Sequence, residues 1–499
     1  MLAWYLGAVQ TGLFPVYAES EKEKRPELSG QTPIPMLRLG YGDLLSQSHE
    51  LVDYLRQSLS RLHPDHFRIA RAAFWIGLFT ISAKLIAASK EIAVAWRYGR
   101  GAEVDAYNLA LTLSTWLPVT LVSVLTVVLV PALARLRDKD EAQRTQLLAE
   151  LKGLGWLGAM AAMLFVVLFY NWGLSWFASG LDSATLEMTR DMLLTFIPLA
   201  ALTVFVGLNT VRLQASNDHR YALADGLPPL AIILLLWALQ TAASLPLLAG
   251  TLLGTSLQVL WLAQLVSHHE GVSVSTKWRL KSVEWPMLWR SAMIMGAGQI
   301  AMSFTTPIDQ YFAANLGTGA IATLGYANRL ISLGLALGAT VVVRATLLVF
   351  SEAVAKGELQ HARVLAFKWA GLMVLAGFAA ATLCHVFAPW LVELLFQRGA
   401  FAERDTLVVA DVLRHGIWQW PFYLGGLVLV QYLVASNRFM LAAISGVIAL
   451  LAKMLFTAML VRFAGINGIV LGTTMMYVAT LLWFIWCSGW KWERHVDGR

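Results

Sequence analysis

Three cations lie inside apolar stretches of this 499-residue chain: Lys84, Lys90 and Arg329. A charged side chain is costly in a hydrocarbon layer and, where one occurs, it faces a cavity or a partner. Glu91 and Asp105 accompany the lysines, and Asp309 and Lys453 lie in apolar stretches further along. Lysine offers a point charge and arginine a bidentate fork, and both suit phosphate oxygens. Three cations with few carboxylates near them are poorly stabilised by one another; they make sense around a water-filled cavity that receives an anion. On a straight helix Lys84 and Glu91 share a face, and Lys90 lies about a third of a turn round. Asp105 follows a loop and also fits the position of a helix N-cap. Arg344, His385, Arg414 and His415 fit a plainer role, reaching to a membrane face or capping a helix.

Other chemistries are excluded by what is missing. The sequence has no phosphate-cradling GxxxxGK[ST] loop, no HExxH and no GxSxG. No polar domain is large enough to house catalysis outside the membrane, so neither soluble-enzyme chemistry nor ATP-driven pumping by this chain alone is expected. Cys384 and Cys487 both fall in apolar runs, which gives no disulfide framework and no metal-ligand spacing. The net charge of +7 does not imply nucleic acid, because the basic residues fall mainly in short segments between apolar runs.

The elements that must position these residues are membrane-spanning helices. Apolar residues make up 58% of the chain and charged residues 14%, with a mean hydropathy of +0.61. A soluble domain carries roughly a quarter charged residues. Twenty tryptophans fit the same reading, since indoles favour the membrane–water interface. Apolar segments long enough to cross a bilayer recur from Phe67 onward. They fall near 70–97, 105–134, 153–177, 187–212, 221–242, 246–267, 289–314, 321–350, 364–387, 406–435, 439–462 and 466–488. The expected fold is therefore an all-α polytopic membrane protein of about 12 helices. Pro118, Pro198, Pro307 and Pro421 should kink the helices that contain them.

Loop charges alternate. One side carries Arg135, Arg137, Lys139, Arg144, Lys152, Arg212, Arg220, Lys277, Arg279, Lys281, Lys356, Arg363, Arg438, Lys491, Arg494 and Arg499. The other side is nearly bare, with Arg100, Arg398, Arg404 and Arg462 as exceptions. The positive-inside rule places the basic side and both termini in the cytoplasm. Residues 1–66 read as a partly disordered cytoplasmic extension.

Two short repeats divide the chain. Gly99-Arg100-Gly101-Ala102 recurs as Gly317-Thr318-Gly319-Ala320, an offset of 218. Ala215-Ser216-Asn217 recurs as Ala435-Ser436-Asn437, an offset of 220. The matches fall at equivalent topological places and imply two six-helix lobes, 67–267 and 288–488, joined by a basic linker 268–287 and followed by a cytoplasmic tail 489–499. An even number of spans per lobe makes this a parallel repeat about an axis along the membrane normal.

Four segments carry a resemblance. They are Ala83–Glu91 continuing through Tyr98–Ala102 to Asp105-Ala106-Tyr107, then Tyr326-Ala327-Asn328-Arg329-Leu330, Leu395–Phe401, and Gly465-Ile466-Asn467-Gly468. From about Phe67 to Ser488 the chain resembles the MurJ/MviN family of lipid-linked oligosaccharide flippases, within the superfamily that includes Wzx polysaccharide flippases and MATE exporters. The resemblance implies that Lys84, Lys90, Asp105 and Arg329 serve a substrate cavity, with lysines standing where the family has arginines. The chain departs from the family after Pro118, where Val119–Val124 carries no arginine pair. It also carries no counterpart of the family's thirteenth and fourteenth spans, and a twelve-helix core is closer to Wzx-type flippases.

The resemblance thus implies two lobes rocking about a cavity that binds a polyprenyl-diphosphate-linked glycan, lipid II or a similar cell-envelope precursor, and delivers it from the cytoplasmic to the periplasmic leaflet of the bacterial inner membrane. Lys84, Lys90 and Arg329 are expected to hold the diphosphate and Asp105 to orient a cation or contact the sugar. Asp309 and Lys453 are candidates for an internal pair that replaces the sodium ion of some family members. No cofactor is expected, and coupling falls to the membrane potential, protons or sodium. Membrane lipids and envelope glycan synthases or polymerases are the expected partners. A Wzx-type exopolysaccharide flippase, a MATE-like exporter and a non-transporting scaffold acting through residues 1–66 are the alternatives.

Overall fold

A computed structural model of the chain describes residues 64–137, 141–216, 218–239, 244–270 and 275–489. The extension up to residue 63 and the tail from residue 490 lie outside the described residues. The helices run α1 (Pro64–Tyr98), α2 (Ala102–Arg137), α3 (Glu141–Leu168), a π turn (Phe169–Gly173), α4 (Leu174–Phe177), α5 (Ser183–Thr195), α6 (Ile197–Ala215), α7 (Tyr221–Ala224) and α8 (Leu227–Ala238). They continue as α9 (Leu245–Glu270), α10 (Trp285–Ser303), α11 (Thr305–Ala314), α12 (Ala320–Ala355), α13 (Leu359–Phe396), α14 (Glu403–Gly416), α15 (Gln419–Ala435), α16 (Phe439–Ala464) and α17 (Ile466–Gly489). Taken end to end they make twelve legs, because α3–α4, α5–α6, α7–α8, α10–α11 and α14–α15 are each one leg with a break. The described residues contain no strand. The protein is an all-helical, multi-pass membrane protein.

Nine of these segments are long and apolar enough to cross a membrane unaided, among the described residues. Legs one, seven and ten are not among them. The described side chains of leg one begin at Leu78, and that stretch holds Lys84, Lys90 and Glu91. Leg seven breaks at Phe304, three residues before Pro307. Proline has no N–H for the carbonyl four residues back. That carbonyl belongs to Ser303, and the indole Nε1 of Trp116 donates to it at 2.9 Å. Leg ten breaks before Pro421, and the stranded Ile417 carbonyl accepts from the Trp420 amide at 3.0 Å. Each break is thus supplied with a donor, as a backbone at membrane depth requires.

The internal repeat is visible in hydrogen bonds. At the end of leg four the Asp218 amide donates to Leu213 O at 3.0 Å; at the end of leg ten the Arg438 amide donates to Leu433 O at 2.8 Å. Asn437 adopts φ 57°, the left-handed cap that asparagine tolerates after a helix.

The two ends of the bundle differ. At the basic end, the segment that sequence assigns to the linker is docked on the first lobe. Glu150 of α3 is fully buried, and its carboxylate accepts from the amides of Lys281 and Ser282 at 3.0 and 3.1 Å, from Trp285 Nε1 at 2.5 Å and from Gln146 at 3.0 Å. The Lys277 amide adds a bond to Ala149 O at 3.0 Å, and Arg135 pairs with Glu284 at 2.9 Å. Trp285 and Leu288 are buried among Leu129, Leu133, Leu147 and Leu151. The start of leg seven is therefore held by first-lobe residues, although it opens the second repeat.

Candidate functional site

At the opposite end, where the loops carry few charges, the two lobes are latched together. The repeated tetrapeptide turns meet here. Asp105, at the start of α2, is fully buried, and its carboxylate accepts from the Ala322 amide at 2.6 Å and from the Gly319 amide. Helix α12 has no side-chain cap of its own, so an aspartate of the other lobe caps it. Arg100 pairs with Asp405 at 2.8 Å and donates to Thr323 at 2.7 Å. Tyr326 donates to Gly99 O at 2.8 Å, and Ser179 donates to Asn315 Oδ1 at 2.9 Å. Asp182 caps α5 through the Thr185 amide at 3.1 Å and also accepts from Thr318 of the other lobe. The Thr318 hydroxyl and Thr185 together push the Asp182 carboxyl down to about 2.

Two glycines make this latch a contact of backbones. Gly99 has φ +56°, and a Cβ there would meet Ala400 O at 2.6 Å. Gly399 has φ +62°, and a Cβ there would meet Trp96 O at 2.3 Å. Between them the Ala400 amide donates to Trp96 O at 2.8 Å. The Leu395–Phe401 segment is thereby seated on the end of α1. Of the four arginines that broke the charge pattern, Arg100 is part of the latch and Arg398 donates to Leu394 O at 2.8 Å, closing the end of α13.

Beneath the latch lies a charged station that spans both lobes. Glu91 Oε1 is 2.7 Å from Lys90 Nζ on its own helix and 2.8 Å from Arg329 Nε on α12. The Lys90 ammonium also lies 6.0 Å from the centre of the Tyr107 ring. Lys90 is nearly buried, whereas the Arg329 side chain is 57% exposed. Sequence geometry pairs Glu91 with Lys84 by helix face; the longer reach of adjacent side chains joins it to Lys90 instead. Lys84 lies six residues further from the latch and is exposed. Of the three expected cations, Lys90 and Arg329 are thus joined through Glu91 and Lys84 stands apart from them, while both oxygens of Asp105 are committed to the latch. The expectation that it contacts sugar or orients a cation does not match this conformation.

Asp309 and Lys453 do come together. Lys453 is fully buried in α16, and its ammonium pairs with Asp309 of α11. It also donates to Ile469 O at 3.2 Å and to Thr473 Oγ1 of α17. Carboxylate, carbonyl and hydroxyl oxygens from two other legs surround one fixed cation. No group of histidine, cysteine and acidic residues that could hold a metal ion occurs among the described residues.

Sequence reasoning missed three residues. Asp225, between α7 and α8, receives Gln258 Nε2 at 3.0 Å. Glu150 and Arg100 were hidden by position, each next to a span boundary where charges are ordinary. Asp225 left one signal, a single acid at the start of an otherwise apolar leg.

Comparison with known proteins places this geometry. The family model for the lipid II flippase MurJ matches residues 94–497. A probable lipid II flippase MurJ from Synechocystis sp. is 24% identical over 452 residues, covering 84% of this chain and 81% of that protein. A second, from Bdellovibrio bacteriovorus, is 28% identical over 169 residues, covering 33% of this chain and 31% of that protein. Among solved structures, a lipid II flippase MurJ in an inward closed conformation matches with TM-score 0.69 at 17% identity, covering 84% of this chain and 88% of the other. An inward-facing MATE-family transporter of the MOP superfamily matches with TM-score 0.64 at 15% identity, covering 82% and 96%.

Proposed function

The chain belongs to the MurJ family of lipid II flippases, and from that premise we propose that it carries lipid II, or a closely similar polyprenyl-diphosphate-linked glycan, to the periplasmic leaflet of the bacterial inner membrane. The observation that carries the reading is the Lys90–Glu91–Arg329 station, which joins the lobes below a closed latch. With the basic end and both termini in the cytoplasm, the latch is the periplasmic gate. The cavity then receives substrate from the cytoplasmic leaflet.

The diphosphate competes with Glu91 for Arg329 and Lys90, and Lys84 supplies a further positive charge nearer the cytoplasm. Phosphate oxygens accept charge-assisted hydrogen bonds as a carboxylate does, and carry more charge. Displacing Glu91 removes a link between the lobes, so binding biases them toward a different arrangement. The polyprenyl tail stays in the bilayer between the lobes. A periplasmic glycan synthase or polymerase consumes the delivered lipid. The Lys453 ammonium supplies the second lobe with its own cation in the place of sodium, and the membrane potential or protons drive the cycle.

The test is a depletion strain complemented by Lys84→Ala or Arg329→Ala at wild-type membrane levels. Both variants should fail to support growth and should accumulate the undecaprenyl-linked intermediate, identified by mass. Wild-type delivery by both variants would sink the assignment. Sodium-dependent transport by the wild-type protein in reconstituted vesicles would sink the coupling proposal alone. A MATE-like exporter of organic cations is disfavoured by a cavity path lined with lysine and arginine.

A further inference from the structure

Lys84 and Asp225 are the chain neighbours of two residues that touch, Ala83 and Gly226, yet they close no salt bridge with one another. Among the described residues Lys84 forms no hydrogen bond or ion pair. Both side chains are exposed. Spans one and five are in contact beside them, since a Cβ on Gly226 would lie 3.2 Å from Ile86 Cδ1 and 3.6 Å from Ala83 Cα. Asp225 is held from behind by Gln258, which is 6% exposed and donates at 3.0 Å to Oδ1 alone. Its second carboxylate oxygen accepts no hydrogen bond from the described residues.

Depth places the group. Lys84 lies fourteen residues from the latch end of α1, about 21 Å along the helix axis, and Lys90 about 12 Å. Asp225 is only four residues past the start of α7, at the basic end. The Lys84–Asp225–Gln258 group therefore sits about 9 Å nearer the basic end than the Glu91 station. A structural salt bridge between two charges would be closed, because an unpaired charge at this depth is costly. An ammonium and a carboxylate held apart, with a buried amide fixing one of them, make a site for a neutral ligand rich in hydroxyl and amide groups. The carboxylate accepts from hydroxyls or N–H groups and the ammonium donates to hydroxyl or carbonyl oxygens.

We infer that Asp225, braced by Gln258 and with Lys84 nearby, forms a saccharide subsite that reads the hydroxyl and acetamido groups of the carried glycan, separately from the diphosphate station. The inference rests on the flippase reading above. It gives a reason for a carboxylate in a cavity path that otherwise attracts anions: Asp225 selects for sugar and against a bare diphosphate lipid.

The test uses the full chain in nanodiscs, with binding read by native mass spectrometry. The probes are undecaprenyl diphosphate bearing no sugar and the same lipid bearing an N-acetylated disaccharide. Asp225→Ala should weaken the sugar-bearing lipid about tenfold or more, the range for a lost hydrogen bond to a charged group. Binding of the bare lipid should stay unchanged or tighten. Asp225→Asn keeps an acceptor oxygen and guards against misfolding; it should weaken the sugar-bearing lipid less, again without loss for the bare one. Lys84→Ala should weaken both. Equal losses for the two lipids in both Asp225 variants, or no loss for either, would overturn the subsite while leaving the flippase reading intact. Failure of the wild-type protein to bind either lipid would overturn both.

Discussion

Replacing Asp105 by alanine should open the periplasmic gate. The wild-type carboxylate is fully buried and takes two backbone amides of the opposite lobe, those of Gly319 and Ala322. A hydrogen bond to a charged group contributes about 1.5–3 kcal/mol. Losing both should destabilise the latched arrangement by about 3–6 kcal/mol relative to an open one, in which water satisfies the amides. Since about 1.4 kcal/mol is a factor of ten, the closed-to-open ratio should fall by about a hundredfold or more. Asp105→Asn retains one acceptor oxygen and should lose about half of that free energy. The assay is cross-linking between cysteines placed at Ser179 and Asn315, whose side chains are 2.9 Å apart across the lobes, in a background with Cys384 and Cys487 replaced. Cross-link yield should be high with Asp105, intermediate with asparagine and low with alanine. An unchanged yield in Asp105→Ala, together with lost transport, would refute the latch and return Asp105 to the role of substrate contact.

Three other outcomes follow from geometry. Lys453→Met should destabilise the protein by about 3–5 kcal/mol, because it strands the Asp309 carboxylate, whereas Lys453→Met with Asp309→Asn should recover most of that loss in thermal denaturation. Glu150→Ala should free the segment before α10, read as faster tryptic cleavage at Lys277 and Lys281 than in the wild type; equal rates would show that Trp285 and Leu288 hold it unaided. Asp182 has a depressed pKa, so its contribution to the latch is present above the ordinary carboxylate value near 3.8 and is lost as pH falls through about 2. The part of the Ser179–Asn315 cross-link that depends on Asp182, read as the difference from Asp182→Asn, should therefore hold steady from pH 8 to about pH 4, and loss of that difference centred near pH 6 would refute the assignment.

The twelve legs were legible because each is an apolar run, and apolarity is a property of composition. The breaks at Phe304 and before Pro421 were legible only as kinks, since which donor rescues the freed carbonyl depends on a distant residue, Trp116 in one case. The repeat was legible in fourteen residues, but not that its two glycine turns would face each other across the lobes. Lys84, Lys90 and Arg329 stood out as cations inside apolar runs. Asp105 was assigned to the cavity by the family resemblance, because a helix N-terminus 214 residues away leaves no trace near it. Asp225 and Glu150 were overlooked at span boundaries, where the same residue type costs little and serves many purposes. The linker boundary at 287 followed the repeat, whereas burial of Trp285 and Leu288 follows packing against the first lobe.

The manner in which the latch closes also sets its thermal behaviour. Gly99 on Ala400, Gly399 on Trp96 and Gly180 on Asn315 are contacts of peptide groups, joined by hydrogen bonds and an ion pair. Trp176 and Phe177 of the first lobe also meet the Tyr311 ring of the second, with centroids 5.6 and 5.5 Å apart. Parting the latch therefore wets polar and apolar surface together. Apolar exposure raises the heat capacity and polar exposure lowers it. The polar share should hold the heat-capacity change of gate opening below that of an all-apolar interface of equal area, so the enthalpy of opening should vary less with temperature than it would there.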